Sequence, residues 1–94
     1  MNGWFYFFLG DLQEWFTEKG LSHEQAAQLV IGNMQDCLTS ARHQPNVTME
    51  FLGRSIATPG TFTSAGLDRL RKNGAMMAWR DACDEVFADM KKDV

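Results

Sequence analysis

The sequence predicts an all-α fold, a bundle of about five helices. Three observations predict it. Apolar residues recur at three-and-four spacing through the long stretches. Glycine, proline and helix-capping residues fall between those stretches. No run of residues alternates apolar and polar in the way a half-buried strand requires.

The first helix covers residues 4–19, with Phe5, Phe8, Leu9, Leu12, Trp15 and Phe16 at helical spacing. It ends at Lys19-Gly20, where the glycine takes the left-handed position after the helix. Trp4, Tyr6 and Phe7 occupy its other sides, so its opening turns are apolar all round and need cover on every face. Of the eleven aromatic residues, seven lie in the first sixteen positions. One face of a small bundle hides fewer rings than that, which points to a seam between subunits or domains.

Ser22 caps the second helix, with Gln25 as its reciprocal partner in a capping box and Leu21 as a staple residue ahead of them. This helix runs to about Ala41. Ala27, Val30, Ile31, Met34, Leu38 and Ala41 form its apolar stripe, widened by Ala26, Leu29 and Cys37. Gly32 within it costs roughly 1 kcal/mol against alanine and permits close approach of another helix. Pro45 opens a connector. A short third helix lies within Val47–Ile56, with Phe51, Leu52 and Ile56 inward. A fourth spans Ser64 to Asn73, with Leu67 and Leu70 inward, and stops at Gly74. The fifth, Ala75 to Lys92, puts Met76, Trp79, Cys83, Val86, Phe87 and Met90 on one face, and its closing lysines complement the helix dipole.

Ninety-four residues make one small domain. A chain of this length buries roughly 60–65% of its unfolded surface and is marginal alone, so a partner subunit is the simplest support. A dinucleotide-binding domain plus a substrate domain needs about 250 residues, so the length favours a binding or assembly module, or one piece of a larger protein. Nine basic against twelve acidic residues give a net charge of -3, with no basic cluster, which argues against nucleic acid and anionic membrane as partners. The apolar run Trp4–Leu9 is too short for a membrane span and has no basic region or cleavage site of a signal peptide. Cys37 and Cys83 lack metal-ligand spacing and sit among apolar neighbours, as buried, reduced thiols of a cytoplasmic protein would.

His23 and His43 have no carboxylate or cysteine at ligand spacing, so no metal site is expected. Asp81, Asp84, Glu85 and Asp89 fall on the polar side of the fifth helix as a solvated face. No glycine-rich nucleotide fingerprint and no nucleophile elbow occurs, so no cofactor is expected for this chain alone, and no residue is assigned as catalytic. The loop Thr58-Pro59-Gly60-Thr61-Phe62-Thr63 has two readings. A proline-glycine turn leading into a helix presents backbone N–H groups at the positive end of a dipole, a site for a carboxylate or phosphate, with threonine hydroxyls beside it. Equally, Pro59-Gly60 is a plain turn and Thr61 or Thr63 a helix N-cap.

The segment Ala57-Thr58-Pro59-Gly60-Thr61-Phe62-Thr63-Ser64-Ala65-Gly66-Leu67 resembles the C-terminal signature of pyrroline-5-carboxylate reductases, which commonly reads Thr-Ser-Pro-Gly-Gly-Thr-Thr. Tyr6-Phe7-Phe8-Leu9 is similar to the family's Ala-Tyr-Phe-Phe helix. Gly20-Leu21 with Glu24-Gln25-Ala26 is similar to its Gly-Leu-x-x-Glu-Gln-Ala turn, and Val30-Ile31-Gly32 to its Val-Leu-Gly. The resemblance implies the helical domain, of 6-phosphogluconate dehydrogenase C-terminal-like fold, by which these reductases interlock as dimers. The family's N-terminal Rossmann domain, which holds NAD(P)H, is expected to be absent from this chain, and the chain alone is expected to be inactive.

The implied reaction is hydride transfer to the C=N carbon of a cyclic imino acid, giving proline. By the same resemblance, substrate contacts fall on Thr58, Gly60, Thr61, Phe62 and Thr63. Backbone amides hold the carboxylate, and Thr63 bonds the ring nitrogen. Thr61 stands where the family has a second glycine, and Phe62 where it has a small residue or threonine. If that glycine serves a positive φ, a β-branched residue there costs about 1 kcal/mol or more. These departures motivate an alternative substrate, another small imino or oxo acid. A non-catalytic helical dimerisation module is the remaining alternative.

Overall fold

The computed structural model describes residues 2–92. Five helices follow one another: α1 (Asn2–Glu18), α2 (His23–His43), α3 (Met49–Ile56), α4 (Phe62–Lys72) and α5 (Ala75–Lys92). The described residues contain no strand. The chain divides into two compact units, Met1–Thr48 and Met49–Val94.

The first unit is a helical hairpin of α1 and α2. Its corner is specified by adjacent residues. Gly20, at φ +111°, takes the left-handed conformation after α1. The Leu21 amide donates to the Phe16 carbonyl at 3.2 Å and the Gly20 amide to that of Thr17 at 3.1 Å, the paired bonds of a Schellman ending. Two residues later α2 begins with the expected capping box. The Gln25 amide donates to Ser22 Oγ at 3.1 Å, and the Ser22 amide donates to Gln25 Oε1 at 3.0 Å. At the far end Gln44, disfavoured from the helical region by Pro45, lies at φ -127°, and its amide returns to the Ala41 carbonyl. Ala26 and Val30, at 0% and 6% exposure, are the buried residues of this hairpin.

The second unit contains α3, α4 and α5, with α4 against α5. Gly74, at φ +74°, turns the chain between them after the Asn73 amide has closed α4 on the Arg69 carbonyl. On α3, Arg54 Nη2 donates to Glu50 Oε1 at 2.6 Å and Nε to the same oxygen at 3.0 Å. Among the described residues of this unit no side chain is buried.

Several expectations change here. α4 starts at Phe62 rather than Ser64, because Thr61 caps it, and Thr63 therefore lies inside its first turn. Cys37 is exposed and Cys83 half-buried, not buried thiols. Phe51, Ile56 and Leu70, read as inward, are exposed, as are Ile31 and Leu38 of α2 and Met76, Val86, Phe87 and Met90 of α5. A Cβ built on Gly32 would meet nothing within 4 Å, so the close helix approach expected there does not occur within the hairpin. Each of these changes except the start of α4 has one physical origin: a single chain offers too few apolar partners for its apolar positions.

Candidate functional site

Thr58 to Thr63 form the turn that feeds α4, and their local chemistry explains why the helix starts where it does. Pro59 fixes its own φ, and Gly60, at φ +86°, supplies the left-handed conformation at the third position. The Thr61 amide then donates back to the Thr58 carbonyl at 3.2 Å. Proline second and positive-φ glycine third are the marks of a type II turn. Thr61 leaves the turn at φ -87° and ψ 158°, ordinary extended backbone for a β-branched residue. The strain expected at Thr61 is thus absent, because Gly60 alone carries the positive φ.

The Thr61 hydroxyl is engaged on both sides. It donates to the Thr58 carbonyl at 2.7 Å and accepts from the Ser64 amide at 3.1 Å. Its proton is therefore committed to the turn, and its role is the N-cap. The amides of Phe62 and Thr63, the first two of α4, have no acceptor within the helix by its geometry. They sit at the positive end of the helix dipole, the arrangement that suits an anionic oxygen. Phe62 is 98% exposed. The turn therefore brings Thr58, Gly60 and Thr61 into one hydrogen-bonded unit and places Phe62 and Thr63 in the first turn of α4. The proline-glycine pair signalled the turn in the sequence, but the bond from Thr61 to Thr58 needed the folded backbone.

A second polar concavity, an open cleft of about 470 Å3, lies in the hairpin unit, lined by Gly10, Gln13, Glu14, Thr17 and His23. Gln13 Nε2 donates to the His23 carbonyl at 3.4 Å and approaches His23 Nδ1 at 3.3 Å. Glu14 and Thr17 are tied locally, the threonine hydroxyl donating to the Glu14 carbonyl at 2.7 Å. This bridge across ten residues had no signal in the sequence. His43 ends α2, and Asp81, Asp84, Glu85 and Asp89 are exposed on α5 as expected for a solvated face.

The remaining feature is apolar. Tyr6 and Phe7 are 77% and 78% exposed, and Phe5, Phe8 and Trp15 are exposed with them on α1. The accessible surface of the chain is 8253 Å2. Two separately compact units of half its mass would together expose only about 6,600 Å2. The excess, roughly 1,600 Å2 per chain by that scaling, is about twice the ~800 Å2 that each partner buries in a standard-size interface.

Among known families, the model described as pyrroline-5-carboxylate reductase dimerisation matches residues 1–93. Neither a curated protein nor a solved structure gives a match. The match spans both helical units and includes the aromatic first helix and the Thr58–Thr63 turn. The chain belongs to the pyrroline-5-carboxylate reductase dimerisation family, as a C-terminal dimerisation domain of a pyrroline-5-carboxylate reductase-like protein.

Proposed function

We propose that the chain assembles as an interlocked homodimer and contributes the substrate-contacting turn of a cytoplasmic, NAD(P)H-dependent imine reductase that acts in proline biosynthesis. The observation that carries the assembly is the uncovered apolar surface, above all the exposed rings of α1. Rings exposed to this degree are costly in water, at about 25 cal/mol per Å2 of apolar area, and a twin that covers them from several sides recovers that free energy. The resulting interface, about 3,200 Å2 counting both partners if that excess is buried on each chain, falls in the range of obligate dimers.

For substrate, the start of α4 supports binding of a small cyclic imino acid. The Phe62 and Thr63 amides receive the carboxylate, assisted by Thr58, while Gly60 and Thr61 hold the turn in shape. Thr63 bonds the ring nitrogen and so fixes which edge of the ring faces the reductant. NAD(P)H supplies the hydride in this reading. In this reading the dinucleotide is held mainly by a Rossmann domain of the reductase rather than by this helical domain. The chain's part is to bind and orient, with no strong acid required when the imine is bound protonated.

In the reductase that carries this domain, Thr63→Ala is expected to lose about 1–3 kcal/mol of transition-state binding. Steady-state kinetics with pyrroline-5-carboxylate measure it, and an unchanged kcat/KM removes Thr63 from the site. A second reading, another small imino or oxo acid as substrate, is favoured by Phe62, whose exposed ring alters the space beside the amides. Comparing kcat/KM across several such acids with the same reductant separates the two.

A further inference from the structure

We draw no further inference here: the strongest candidate, the exposed Phe62 ring beside the Thr58–Thr61 turn at the start of α4, rests on a helix N-terminus, and nothing in the structure shows what covers it.

Discussion

Thr61 does two jobs with one hydroxyl, and both are structural. By accepting from Ser64 it satisfies one of the orphan amides of α4, and by donating to Thr58 it closes the turn. Thr61→Ala is expected to lower stability by about 1 kcal/mol, with Thr61→Ser close to the parent because the oxygen is retained. Urea denaturation at fixed protein concentration measures the difference, and an alanine variant as stable as the parent contradicts the cap. Glu50 offers an electrostatic counterpart. The hydrogen bond from Arg54 holds its carboxyl below the ordinary glutamate value, helped by the charges of Arg54 and Arg71, against a small opposing effect of burial. A carboxylate with a depressed folded value contributes stability above its unfolded value, and that contribution is lost as pH falls through the folded one. Both partners are about two-thirds exposed, so the stabilisation is slight. The clear readout is the titration itself: in Arg54→Met, the Glu50 carboxyl followed by NMR should titrate at higher pH than in the parent. An unmoved midpoint would show that the pair does not persist in solution.

At the scale of elements, capping chemistry decided the boundaries. The Ser22 and Gln25 pair and the Gly20 ending were legible because they use short-range spacing and one conformation that glycine adopts readily. The start of α4 was less legible, since Thr61 and Thr63 both qualify as caps and only the turn before them selects Thr61. Two glycines separate conformation from packing. Neither Gly20 nor Gly32 has any atom within 4 Å of a built Cβ, yet Gly20 lies at φ +111° and Gly32 within α2. Gly20→Ala should therefore destabilise the hairpin by roughly 1 kcal/mol, through backbone strain alone. Gly32→Ala should stabilise it by up to about 1 kcal/mol from helix propensity. Thermal denaturation of the pair tests this. A destabilised Gly32→Ala would place another helix against that glycine, since the hairpin itself leaves the space open.

For the whole molecule, folding and assembly should be one event. Ala26 and Val30 alone are buried among the described residues, too small a core to offset the conformational entropy of a chain this long. A domain whose missing core comes from its twin has a Tm that rises with protein concentration. Scanning calorimetry over a hundredfold concentration range should show that rise, and light scattering should give twice the chain mass at micromolar concentration. A concentration-independent Tm with the mass of a single chain would overturn the dimer. Tyr6→Asp combined with Phe7→Asp should abolish the assembly, because each carboxylate would have to be buried unpaired at the seam.

The sequence by itself determined the number of helices, the capped corner of the hairpin and the position of the Thr58–Thr63 turn. These depend on periodicity, on glycine and proline conformations and on hydrogen bonds spanning a few residues. Its aromatic excess also signalled that α1 needs more cover than a single small bundle provides. Only the tertiary structure decided which apolar positions find that cover within the chain. Phe51, Ile56, Leu70 and the face of α5 carry the same periodic signature as a core, yet they remain exposed. Periodicity reports that a residue needs an apolar neighbour, but not which chain supplies it. The commitment of the Thr61 proton to Thr58 was likewise settled only by the folded turn, because it depends on an angle and a 2.7 Å distance that no residue order specifies.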